Sequence, residues 1–284
     1  MNEHVLSAGE RLLAPATAID RRRSLADRFW KLLSLVAIIY FVVVRGLPTL
    51  TPDLVFNAAG NTTQPGALNA IAGSLQMVPL ALLIGGGLGL AAGIYMAEFA
   101  GPRLVAIGAF VVDVLLGVPS IIAGLLIYGT VVTYVTGSSA LAGSLALAVI
   151  IFPIVMRATE EVLRLVPEAV REASLALGIP KWRTTISVVL PVARAGLLTG
   201  LMLAFARGFG ETAPLLFTAR GSNALNVGDF GSPMSALPLF VYQNSRLASD
   251  FFVGQAWSAA VVLLAVVLFI NVVVRGRSIG ARVE

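Results

Sequence analysis

Two side chains of opposite charge stand four residues apart in an otherwise apolar stretch, Arg207 and Glu211 within Ala195–Phe217. On a helix that spacing puts both on one face, close enough to pair. A charge at bilayer depth costs about 2.5–3.5 kcal/mol on insertion scales, so neither is expected to face lipid. Two readings fit the pair. One is a salt bridge that only fixes packing. The other is a path for an anion lined by Arg207. A guanidinium presents forked donors that match phosphate-like oxygens, and it stays charged at any relevant pH. Glu211 then either holds Arg207 off the anion in one state and releases it in another, or accepts a hydrogen bond from a protonated oxygen of the anion. Thr212 is a weaker candidate for the same path, because a hydroxyl in a membrane helix commonly bonds its own backbone. Ser120 follows the break at Pro119, where exposed backbone groups can line a cavity. Asp113 reads as a structural partner, since an unpaired carboxylate repels an anion.

Other chemistries lack their residues. The chain has no cysteine, which removes thiolate catalysis, zinc ribbons and iron–sulfur clusters. Its one histidine, His4, lies in a polar N-terminal stretch, so His-based triads and His-rich metal sites are absent, and no bound metal is expected. Only Asp113 is available to an intramembrane aspartyl protease, which needs two such residues. The glycine run at Gly85, Gly86, Gly87 and Gly89 lacks the Gly-Lys-Ser/Thr ending of a phosphate-cradling loop and reads as close helix packing.

The elements that must position these residues are membrane helices. Of 284 residues, 57% are hydrophobic and 12% charged. A soluble domain runs at about 45–50% and about 25%. Mean hydropathy is +0.90, more apolar surface than one soluble core can hold. A crossing needs about 20 mostly apolar residues. The first candidate is Trp30–Val44, with no small-residue cleavage site soon after it, so an uncleaved span is expected. The second covers about Asn69–Ala97. The third, Leu104–Val135, is too long for one straight crossing and is interrupted at Gly117-Val118-Pro119-Ser120. Ala140–Met156, Ala195–Phe217 and Gln255–Val274 complete six. Arg45–Ala67 and Thr218–Gly254 read as polar loops.

The segment Arg157–Arg194 differs in kind. Glu160–Leu177 has apolar residues spaced mainly by three and four, broken at Pro167 into two short helices. The second starts at Pro167-Glu168, stops at Gly178, and Pro180 opens another. This is either a solvated hairpin or a docking element for a cytoplasmic partner. With six spans both termini share a side. Sixteen Lys and Arg residues then fall on that side, against Arg45, Arg220 and Arg246 on the other. The positive-inside rule makes the first side cytoplasmic.

Glu172-Ala173-Ser174, Gly178 and Val188-Val189-Leu190-Pro191 resemble the EAA loop of ABC-importer permeases, with Ser174 where that family usually has Ala. Ala206–Ala219 and Gly117–Ile122 are similar to stretches of phosphate-specific ABC importer permeases of the PstA type. The resemblance covers about Asn69–Arg275. It implies an all-α type I importer bundle of six transmembrane helices. Residues 1–28 would be a basic cytoplasmic tail, 29–274 the membrane domain with its coupling loop at 157–194, and 275–284 a cytoplasmic tail. It implies that Glu172, Ala173, Ser174, Gly178 and Pro191 belong to the ATPase-coupling loop, and that Arg207 and Glu211 lie in the translocation pathway. The chain itself would be no enzyme and bind no cofactor, ATP being used by a partner. The implied partners are a second, PstC-like permease subunit, an ATPase subunit dimer, a periplasmic phosphate-binding protein and membrane lipid, with no nucleic acid. Physical argument alone leaves molybdate, sulfate or phosphonate open as the cargo.

Overall fold

The computed structural model describes residues 18–280, with side chains from 29 to 272. His4 and residues 1–17 of the expected N-terminal tail, and residues 281–284 of the C-terminal one, lie outside the described residues. Helix α1 runs Ala18–Gly46, beginning ahead of the expected first span. No Gly or Pro interrupts the chain from Ala18 to Arg45, so nothing stops the helix earlier. The last helix likewise continues to Gly280. The chain divides into two units, Met1–Arg45 and Gly46–Glu284; the second holds everything below.

That unit contains α2 (Pro52–Phe56), α3 (Leu68–Ala81), α4 (Gly87–Glu98), α5 (Pro102–Gly117), α6 (Ser120–Ile127), α7 (Ala140–Arg164), α8 (Glu168–Ala176), α9 (Lys181–Thr184), α10 (Leu190–Gly210), α11 (Ala213–Thr218), α12 (Leu237–Asn244) and α13 (Asp250–Gly280). Widened π-helical turns at Leu82–Gly86 and Thr185–Val189 join α3 to α4 and α9 to α10 without a break. A third, Tyr128–Thr136, extends α6. Five helical runs are long and apolar enough to cross a membrane, and α5 with extended α6 forms a further pair bent by 96°. The bend falls at Val118 and Pro119, both in extended conformation, as the proline break predicts.

Hydrogen bonds sort the ends of the bundle. At one end Ser139 donates its amide to Thr218, Leu141 to Phe230, and Asn69 its side-chain amide to Ser222. At the other end Glu98 of α4 meets Arg171 of α8. The bent pair leaves α4 at the Glu98 end and reaches Ser139 at the opposite end, so it counts as one crossing.

Helix α7 is the centre. It packs against α3, α4, α5, α6, α10 and α11, and Leu147, Ile151 and Val155 along it are buried. Close approach to α3–α4 is possible because glycines face it. A Cβ at Gly85 would run into the Ala148 backbone, and one at Gly89 would stand 2.6 Å from the Phe152 carbonyl oxygen. Gly87, in the same run, faces open space. Gly85→Val is therefore expected to destabilise the detergent-purified protein by at least about 1–3 kcal/mol through overpacking. Gly87→Val should leave its thermal midpoint within a degree or two of wild type. Equal effects at both positions would remove the glycines from the packing argument.

Five expectations need correction. The segment 45–67 is not all loop, since α2 lies within it and buries Leu54 in the core. The helix that carries the fourth span does not stop at Met156 but runs on to Arg164, with Arg157–Glu161 and Glu160–Arg164 paired at 2.8 Å, four residues apart, along the extension. The first of the two short helices expected in Glu160–Leu177 is thus the end of α7. The fifth span is shifted: a continuous run from Lys181 ends at Gly210 rather than Phe217. The segment 218–254 is not all loop, since α12 buries Leu237, Leu239 and Phe240 in the core. Its eight residues are too few for periodicity to reveal.

Candidate functional site

Arg207 occupies the last turn of α10, where a cation complements the negative end of the helix dipole. Its Nη2 lies 3.3 Å from Glu211 Oε1. The pairing agrees with the spacing, but the reason for it differs. Glu211 is not on the helix; it caps α10 in extended conformation, φ −77° and ψ 127°. Continuing the helix would set the Pro214 ring against the Gly210 carbonyl and forfeit its hydrogen bond, so the chain turns at Glu211 and restarts as α11. Glu211 is 13% exposed and Arg207 56%, which leaves the guanidinium free to take a second ligand.

That guanidinium opens into a cleft of about 290 Å³. Ser120, the first residue of α6, lines the same cleft, together with Leu116, Val118 and Ile122 at the break and Pro153 and Ile154 of α7. The bend thus brings Ser120 to Arg207 across an otherwise apolar wall, which sequence separation alone did not indicate. Glu211 and Thr212 do not line it. Thr212 is half-exposed and its hydroxyl makes no hydrogen bond among the described residues; it does not cap α11 either. Asp113 lies on the exposed face of α5, and the expected structural partner is absent among the described residues.

The second cluster is at the Glu98 end. Helix α8 carries Glu172 and Ala173 exposed and Ser174 buried. The Ser174 hydroxyl lies 2.9 Å from that of Thr184 at the end of α9, so the small polar residue ties α8 to α9. Gly178 has φ +78° and donates its amide to Leu175 at 2.9 Å, ending α8 in the left-handed turn that only glycine adopts without strain. Pro191 falls at the start of α10, directly after the π-helical turn that absorbs its missing donor. Leu177 and Trp182, which flank the Gly178–Pro180 turn, are 80% and 59% exposed, two large apolar side chains left uncovered there.

Removing one hydroxyl of the buried pair leaves the other without a partner. Ser174→Ala is expected to cost about 1–3 kcal/mol in thermal unfolding, and Ser174→Ala with Thr184→Val to recover most of it. Additive losses in the double variant would show that the hydroxyls do not interact.

Sequence reasoning missed Arg171. Its Nη2 lies 2.8 Å from Glu98 Oε1, and it donates to the Leu163 and Val166 carbonyls at 2.8 and 2.7 Å. Arg171 and Glu98 are 12% and 3% exposed. The hydrogen bond to Glu98 raises the guanidinium further above its ordinary value, burial pulling the other way. No sequence signal links residues 73 positions apart.

A crossing bundle with a cationic cleft and an uncovered helical loop at one end defines the membrane component of a transporter. The family described as binding-protein-dependent transport system inner membrane component matches residues 89–276. A chain of an inward-facing MetNI methionine ABC transporter superposes with a TM-score of 0.60 at 19% identity, over 75% of this chain and 94% of that one, a likeness of fold. The phosphate transport system permease protein PstA of Pasteurella multocida is 40% identical over 87% of this chain and 89% of its own. That of Xylella fastidiosa strain 9a5c is 43% identical over 85% and 82%. The chain belongs to the PstA family of phosphate transport system permease proteins.

Proposed function

We propose that this chain is the membrane-spanning permease subunit of an ATP-driven phosphate importer. It forms half of the pathway with a second permease subunit and docks on two copies of a cytoplasmic ATPase. A periplasmic binding protein delivers phosphate. ATP is hydrolysed by the partner, and this chain holds no cofactor of its own. Residues 29–274 form the membrane domain of a bacterial inner membrane protein. Residues 1–28, the 157–194 loop and residues 275–284 lie on the cytoplasmic side, the side the Lys and Arg distribution favours. Glu172, Ala173, Ser174, Gly178 and Pro191 shape the loop that meets the ATPase.

The observation that carries the pathway is Arg207, held by Glu211 and opening with Ser120 into one cleft. A half-exposed guanidinium in an apolar wall attracts an oxyanion and can exchange the Glu211 carboxylate for it. Thr212, with a free hydroxyl beside Glu211, supplies a further donor. Closure of the ATPases displaces the loop, and the spans rock between two states.

The test is binding-protein-dependent uptake of radiolabelled phosphate in cells lacking this chain and any redundant importer. Loss on deletion and rescue by the wild-type chain are expected. Unchanged phosphate uptake under starvation overturns the substrate, and the assay is then repeated with molybdate, sulfate and phosphonate.

A further inference from the structure

The uncovered loop lies at one end of the bundle and Arg207 elsewhere in it, so something must join them. Two contacts converge on consecutive residues at the end of α4. Arg171, before the Gly178 turn, pairs with buried Glu98 through its Nε and Nη2. Lys181, after the turn, places its Nζ 5.5 Å from the centre of the Phe99 ring. The Ser174–Thr184 hydroxyl pair closes the two arms on each other. The loop therefore grips α4 from both sides of the turn. Arg171 also holds the Leu163 and Val166 carbonyls, so the end of α7 is part of the same joint.

Helix α4 can carry a displacement inward. It continues without interruption into α3 through the π-helical turn at Leu82–Gly86, a local widening of the kind often found at functional sites. Beyond that turn Val78 reaches α10 at Gly208, the residue after Arg207: a Cβ there would stand 3.5 Å from Val78 Cγ1. The path from loop to cleft is thus one continuous helix with a π-helical turn within it, gripped at Glu98 and touching α10 beside Arg207.

We infer that the Arg171–Glu98 pair, with Lys181 on Phe99, is the joint that transmits movement of the ATPase-facing loop to the substrate cleft through the second membrane span. Arg171 and Glu98 are positioning residues in this scheme and touch no substrate. The inference rests on the importer reading above. It predicts that breaking the joint separates ATP hydrolysis from transport, whereas a purely structural role lowers both together.

The experiment uses the assembled transporter with its binding protein in proteoliposomes. Phosphate uptake and binding-protein-stimulated ATP hydrolysis are measured on the same vesicles. A third readout is independent of the substrate: Gly210→Cys, beside Arg207, exposed and with open space around its Cβ, is labelled by a thiol reagent with and without ATP. The native chain has no cysteine, so label recovered on this chain, separated from its partners after the reaction, reports position 210 alone. In Glu98→Gln, hydrolysis should stay within about twofold while uptake per ATP falls about tenfold, a usual size for a coupling between sites. The ATP-dependent change in labelling at position 210 should vanish. Phe99→Leu removes the ring under Lys181, together with its stack on Tyr95, and should lower uptake per ATP about threefold. Glu98→Cys with Arg171→Cys, in the chain with native Gly210, should be uncoupled when reduced and recoupled by a short bifunctional thiol cross-linker.

Uptake and hydrolysis falling in proportion, an ATP response at position 210 that survives Glu98→Gln, or a cross-link that restores nothing would each overturn the joint. A wild-type assembly that takes up no phosphate overturns the substrate reading instead. The labelling response to ATP then still decides the joint.

Discussion

Arg207→Gln is expected to lower phosphate uptake by about 10- to 100-fold at an unchanged membrane level, the loss that goes with one charge-assisted hydrogen-bonded contact. Glutamine keeps much of the length and some donors but not the charge. Arg207 is half-exposed, and its one ion pair among the described residues is with Glu211 at 3.3 Å. If that salt bridge only fixed packing, Arg207→Gln and Glu211→Gln would act alike, through stability, and the double variant would cost no more than either. If Arg207 binds the anion, the two separate. Glu211→Gln frees the guanidinium and should tighten phosphate binding while slowing its release, so uptake falls at saturating phosphate more than at limiting phosphate. Arg207→Gln should fail under both conditions. Radiotracer uptake at two phosphate concentrations, with immunodetection of the membrane fraction, distinguishes the cases. Arg207→Gln with normal uptake removes Arg207 from the path.

Gly178→Pro is expected to abolish coupled uptake while the protein still inserts. Proline locks φ near about −65°, whereas Gly178 sits at +78° and donates its amide to Leu175. Both requirements fail at once, so α8 loses its end and the exposed Leu177 and Trp182 lose their mutual placement. A Cβ at Gly178 meets no atom within 4 Å, so Gly178→Ala suffers only the backbone strain, roughly 1–2 kcal/mol. It should retain a measurable fraction of uptake. Binding-protein-stimulated ATP hydrolysis in proteoliposomes is the readout. Wild-type stimulation in Gly178→Pro would take the loop out of the mechanism.

The crossings were legible because lipid imposes a length and a composition that a single chain must show in order. The break at Pro119 and the stop at Gly178 were legible because each rests on one residue's own backbone chemistry. Helix ends inside longer runs were harder. The fifth span closes at Gly210 because Pro214 stands four residues on, whereas apolar content continues to Phe217 and masks the stop. Helix α12 was hidden because eight residues carry too little periodicity, and its burial depends on neighbours from distant segments.

For the site, the sequence by itself determined the pair Arg207 and Glu211, the loop residues Glu172 to Gly178, and the absence of any thiol or intramembrane imidazole. The charged pair and the absences are matters of residue type and short spacing; the loop residues rest on the resemblance to the EAA loop. Only the tertiary structure decided that Ser120 shares a cleft with Arg207, that Thr212 and Glu211 lie off its wall, that Asp113 is exposed, and that Arg171 grips Glu98. The shared cleft depends on the 96° bend of the broken span, and the others on which segments meet, as α3–α4 meets α7 through glycines. Those distances are set by how helices pack, and packing couples residues that the chain separates by tens of positions.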